Sequence, residues 1–147
     1  MVAAVVLVIT AFAEVSDFRP APGARWQYLG VPEHDAFVAS EFDAIADLVG
    51  ENAVVAWATA PFEEGHEPGD TSMLNQRLEL LNTQIRALAE RRANVAVVPF
   101  AERIPSPGGR VDRAQRPDGI HFTVRAGREI ADRWLARFLL RLAETRV

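Results

Sequence analysis

Runs of uninterrupted apolar residues alternate along this chain with stretches in which apolar side chains return every three or four positions. The first run, Val2 to Ile9, is valine-rich and too short to span a bilayer, and it is predicted to be a central parallel strand buried on both faces. Ala11-Phe12-Ala13 after it looks like a signal-peptidase site. No arginine precedes Arg19, however, and the run lacks the leucine or alanine core of a leader, so the strand reading is preferred. Arg19 to Pro32, with three prolines, two glycines, Trp26 and Tyr28, is predicted to be a loop over the sheet edge.

Asp35 is predicted to cap a helix reaching about Val49, with Phe37, Val38, Phe42, Ile45 and Val49 turned inward and Gly50 just past its end. Ala53 to Ala60 is a second buried strand, stopped by Pro61. A helix follows from Thr71 or Ser72 to about Arg92, and Leu74, Leu78, Leu81, Ile85 and Leu88 give it a leucine-lined inner face. Val95 to Phe100 is a third, short strand, and Ala101 to Gln115 is a long loop. Thr123 caps a last helix in which Ile130, Trp134, Leu135, Phe138 and Leu142 face inward. Its arginines face outward toward solvent, Glu129 and Asp132. Strands and helices in alternation imply one α/β domain over residues 1–147, built on a parallel sheet with right-handed crossovers.

Composition narrows the chemistry more than the fold. All 16 basic side chains are arginine, so Schiff-base and lysine general-base chemistry are excluded, and the lack of cysteine removes thiol catalysis and disulfides. A net charge of -4 argues against nucleic acid as a partner. The loop from Phe62 to Asp70 carries Glu63, Glu64, His66, Glu67 and Asp70, residue types that can hold a divalent cation. Charged residues on a glycine-proline loop fit a solvated run better, and no metal or cofactor is expected.

The chemistry concentrates in Arg116-Pro117-Asp118-Gly119-Ile120-His121-Phe122-Thr123. A carboxylate three residues before a histidine can fix the imidazole tautomer through one ring nitrogen, leaving the other to take a proton from a nucleophile. His121 is thus the candidate base and Asp118 its orienting acid. His34 and His66 sit in charged, loop-like sequence without an apolar wall. The four serines are Ser16, Ser40, Ser72 and Ser106, and none stands in a Gly-x-Ser-x-Gly elbow. Ser40 and Ser72 read as helix residues, while Ser16 and Ser106, with Glu14, lie on loops at the carboxyl ends of strands, where substrate loops collect.

Three features together resemble the SGNH (GDSL-type) hydrolases, closest to the version found alone in esterases or fused behind membrane O-acyltransferases. They are the strand ending Thr10-Ala11-Phe12-Ala13-Glu14-Val15, the strand Val54 to Pro61 followed by a helix with Arg77 and Asn82, and the Asp-x-x-His block at Asp118 and His121. The resemblance implies a three-layer flavodoxin-like parallel sheet and a serine esterase or O-acyl transfer site acting on acetyl-like esters, with a small-molecule or carbohydrate ester as substrate.

Laid against that pattern, the chain spans the C-terminal two thirds of the family domain and begins at its third strand, so the Gly-Asp-Ser block and the oxyanion glycine block have no counterpart. The family's Gly-x-Asn-Asp block falls on Ala11 to Glu14, which puts alanine at Ala13 where an oxyanion donor is expected. Losing one such donor typically costs about a hundred- to a thousandfold in rate. Three readings stand side by side: an acyl-transfer domain whose serine comes from elsewhere, a silent relative that binds a partner, or itself, through the edge of Val2 to Ile9, and, more weakly supported, a small esterase that uses Ser16 or Ser106 as its nucleophile. Location is open, because the fused relatives face outward while this chain carries no convincing export signal.

Overall fold

The computed structural model describes residues 4–10, 17–19, 21–64 and 72–145. Three parallel strands, β1 (Ala4–Ile9), β2 (Ala53–Ala58) and β3 (Val95–Val98), lie side by side in chain order. Helix α1 (Pro32–Val49) comes between β1 and β2, and α2 (Ser72–Arg91) between β2 and β3. A single turn α3 (Phe100–Arg103) and a 3-10 turn (Pro107–Gly109) lead to a long C-terminal helix in three parts: α4 (Val124–Ile130), a π-helical turn (Ala131–Leu135) and α5 (Ala136–Thr145). The chain is a mixed α/β fold on a small parallel sheet.

β2 is apolar throughout because it has ladder partners on both sides and helices on both faces. Its large side chains, Val55 and Trp57, share a face with Val95 and meet Val38 and Phe42 of α1 and Leu81, Ile85 and Leu88 of α2. Trp57 is 0% exposed, lies 4.3 Å from the Phe42 ring and donates its indole N–H to Thr10 Oγ1 at 3.2 Å. The opposite face carries the small Ala56 and Ala58 with Val98. That leaves room for Trp134, Phe138 and Leu142 of the C-terminal helix.

β1 is not the central, doubly buried strand expected from its composition. It stands at the edge of the described sheet with β2 as its ladder partner, and Ile9 is 68% exposed. An apolar sequence can favour a strand but cannot supply the second neighbour that would cover it. α1 begins earlier than expected, at Pro32, whose fixed φ and missing N–H suit the first helical position. Val31 therefore holds the cap position, and Asp35, inside the first turn, accepts from the Gly30 N–H at 2.9 Å. The inward stripe runs His34, Val38, Phe42 and Ala46, so Phe37 is exposed and His34 buried, the reverse of the sequence reading.

β3 stops at Val98 because Pro99 offers no ladder donor, and Phe100, expected in the strand, opens α3 instead. Thr123 caps the last helix as expected, its Oγ1 accepting from the Ala126 N–H at 3.2 Å. No helix of the described residues is long and apolar enough to cross a membrane.

Candidate acid-base site

The site is built where the segment after β2 meets the segment leading into α4. Arg116 to Gly119 forms a turn closed by the Gly119 N–H donating to the Arg116 carbonyl at 3.0 Å, with Pro117 at its second position. Gly119 has φ +85°, and a Cβ there would come within 2.2 Å of the Glu64 carbonyl oxygen. Only glycine allows both that conformation and that approach. The Gly119 carbonyl in turn accepts from the Glu64 N–H at 3.2 Å, locking the turn to the β2 segment.

Within this turn Asp118 uses both oxygens. Oδ1 accepts from the backbone N–H groups of Ile120 (2.9 Å) and His121 (2.7 Å), and Oδ2 meets His121 Nδ1 at 2.6 Å. The His121 bond holds the Asp118 carboxyl far below the usual carboxylate range, with the two backbone donors adding to it. An ionised carboxylate only accepts, so Nδ1 carries the proton and the neutral ring keeps a bare lone pair on Nε2. The His121 side chain is 81% exposed, and Nε2 is the end of the ring not engaged by Asp118. The ring is held by Asp118 in an orientation that can serve a base.

The segment beneath the pair is held residue by residue. Asn82 clamps Ala60, accepting from its N–H at 2.7 Å and donating to its carbonyl at 3.0 Å. Asn75 does the same for Glu63 at 2.9 and 2.6 Å. Arg116 is buried, donates to the Phe62 carbonyl at 2.6 Å and lies over the Phe122 ring at 5.1 Å.

Glu63 and Glu64 are not solvated loop charges as their sequence context suggests. Both are buried. Glu64 is neutralised by Arg110 at 2.9 Å and Arg113 at 3.0 Å, two arginines of the segment that precedes the turn. Glu63 has no such ion pair among the described residues, and burial pushes its carboxyl up to about 7, partly opposed by the positive charge of Arg116. The only sequence signal for this layer is charge complementarity: an adjacent glutamate pair, and arginines repeated at Arg110, Arg113 and Arg116.

Asp118 and His121 are thus brought together as expected. Ser106 is not joined to them: its Oγ is buried with no hydrogen-bond partner, and among the described residues no hydroxyl hydrogen-bonds to His121. Ser40 Oγ donates to the Phe37 carbonyl within α1. Ala11, Ala13, Glu14 and Ser16, and the charged loop residues His66, Glu67 and Asp70, lie outside the described residues.

Two cavities meet at Gln76, one of them beside the clamped segment, and neither is lined by Asp118 or His121. One of about 540 Å³ has an apolar floor of Ala60, Phe62, Leu78 and Ile104, with Ser106 and Gln76 among its polar lining. The other, about 520 Å³, is walled by Trp26 and Tyr28 with Asp17, Arg77 and Gln76. Arg77 bridges to Asp17 at 2.7 Å and lies over the Tyr28 ring at 4.6 Å. Gln76 lines both cavities. In comparisons with known proteins, no family model matches the chain and no curated protein matches it.

Proposed function

We propose that this chain is an SGNH-type acyl-transfer domain in which His121 is the general base and Asp118 its orienting carboxylate. The observation that carries the reading is the 2.6 Å Asp118 Oδ2 to His121 Nδ1 contact on a ring that is otherwise open to solvent. In this chemistry Nε2 takes the proton of a serine hydroxyl as that oxygen attacks an ester carbonyl. The proton then passes to the departing alcohol, and water or an acceptor hydroxyl releases the acyl group by the same route reversed.

The serine belongs, in this reading, to a polypeptide segment paired along the open edge of β1. Three adjacent parallel strands in chain order fit strands 3-4-5 of a flavodoxin-like 2-1-3-4-5 sheet, and in that order the strand beside the first of them is strand 1.

The test is hydrolysis of an aryl acetate, with fluorophosphonate labelling, by the chain extended with a strand bearing a Gly-Asp-Ser block. His121→Ala is expected to lower the rate by about a thousandfold or more, and Asp118→Ala by a comparable factor. A rate indifferent to His121 overturns the reading.

The same open edge supports a second reading, an interaction module. β1 presents six apolar residues without a charge or proline, the devices that usually protect an edge. Light scattering that shows self-association lost on Ile9→Lys would favour this reading, and a monomer at all concentrations would count against self-pairing.

A further inference from the structure

Asp118 orients His121, and Asp118 is in turn oriented by the backbone from which it projects. That backbone is set by the rigid peptide groups around its Cα, and three consecutive ones are anchored here. The group between Pro117 and Asp118 is held at the Pro117 carbonyl, which accepts from Arg113 Nη1 at 3.3 Å. The group between Asp118 and Gly119 is held at the Gly119 N–H, which donates to the Arg116 carbonyl at 3.0 Å. The group between Gly119 and Ile120 is held at the Gly119 carbonyl, which accepts from the Glu64 N–H at 3.2 Å.

Two of these three anchors lead to Glu64. Its carboxylate is 1% exposed, and Oε2 accepts from Arg113 Nη2 at 3.0 Å, so one guanidinium spans the buried carboxylate and the Pro117 carbonyl. The guanidinium also rests against the turn, since a Cβ added at Gly119 would lie 3.1 Å from Nη1. Arg110 meets the same carboxylate differently. Its Nε lies 2.9 Å from Oε1, its side chain is largely exposed, and among the described residues it makes no bond to the turn.

A buried ion pair adds little net stability, because taking both charges out of water offsets most of their attraction. What it supplies is direction. A guanidinium presents its donors in a rigid planar fork, so a carboxylate fixed at one side decides where the other side points.

We propose that Arg113 is a positioning residue for the acid-base pair: tied to Glu64 through one nitrogen, it holds the Pro117 carbonyl with the other and fixes the peptide plane from which Asp118 reaches His121. With that plane fixed, the Ile120 and His121 N–H groups on Oδ1 suffice to aim Oδ2 at Nδ1. Without the clasp the Pro117 to Asp118 peptide can turn, and Oδ2 leaves the line of the Nδ1–H. The ring then loses the partner that selects its tautomer. The consequence for catalysis rests on the acyl-transfer reading, but the orientation of the ring does not.

The experiment is proton and nitrogen NMR of the His121 ring, at a pH where it is neutral, with urea unfolding alongside. The proteins compared are wild type, Arg113→Lys, Arg113→Met and Arg110→Met. Wild type should show a single Nδ1–H tautomer with a downfield proton. Arg113→Lys keeps a charge beside Glu64, but one ammonium cannot reproduce the fork. Its Nδ1–H should exchange with solvent about tenfold faster or more, and the Nε2–H tautomer should appear. Arg113→Met should show the same change more fully. Arg110→Met, which takes a charge from the same carboxylate without touching the turn, should leave the His121 signals as in wild type.

A wild-type tautomer and exchange rate in Arg113→Lys would overturn the proposal. Equal changes in Arg110→Met would overturn it too, by assigning the effect to the charge balance of Glu64. So would changes at His121 that appear only with a matching loss of urea stability, which would assign Arg113 to the fold as a whole. None of these signals needs turnover. A rate indifferent to His121 sinks the acyl-transfer reading and leaves this one standing, while unchanged His121 signals in Arg113→Lys sink this one alone.

Discussion

β1 and β2 are paired over six residues, are almost equally apolar, and could hardly differ more in their surroundings. β2 lies between two strands and two helical layers. The residues that follow it, Ala60, Phe62, Glu63 and Glu64, are each tied by hydrogen bonds to α2 or to the turn at Gly119. β1 has one described ladder partner, and its last residue stands open to solvent. The difference shows that burial here is decided by which neighbours a segment acquires. It also explains why Asp118 and His121 gather around the end of β2: a clamped, buried segment can seat their turn in one geometry, and its burial raises the carboxyl of Glu63 to about 7.

The contrast can be broken most forcefully at Trp57. Trp57→Ala removes a wholly buried ring packed on Phe42 and should cost about 3–5 kcal/mol in urea unfolding, whereas a loss under about 1 kcal/mol would mean that β2 is not the packing centre. Next comes Gly119→Ala. A methyl group directed at the Glu64 carbonyl, on backbone that disfavours any side chain, should cost at least about 2 kcal/mol. It should also weaken the His121 to Asp118 bond, seen as loss of the downfield Nδ1–H resonance. An intact resonance would show that the turn does not depend on its seat beside Glu64. The smallest effect belongs to β1: Ile9→Lys should change stability by no more than about 0.5 kcal/mol, and a larger loss would show that this edge is covered.

The strand-helix alternation was legible because hydrophobic period is a local property. Leu78, Leu81, Ile85 and Leu88 announce the inner face of α2, and all four are buried. The Asp118 and His121 pair was legible for a similar reason, since three residues and one proline-glycine turn suffice to bring the carboxylate to the ring. The start of α1 was misplaced because Asp35 and Pro32 both signal a helix N-terminus, and here proline won. Phe100 was drawn into β3 by its hydrophobicity, although Pro99 had already ended the ladder.

By itself, then, the sequence determined the three strands, the helices between them and the oriented histidine, all set by contacts within a few residues. Tertiary structure alone decided that Glu63 and Glu64 are buried, because the arginines that act on that segment lie 49 and 54 residues away along the chain. It alone decided that β1 is an edge of the described sheet. An apolar strand carries the same pattern whether it has one neighbour or two, and only the assembled sheet distinguishes them.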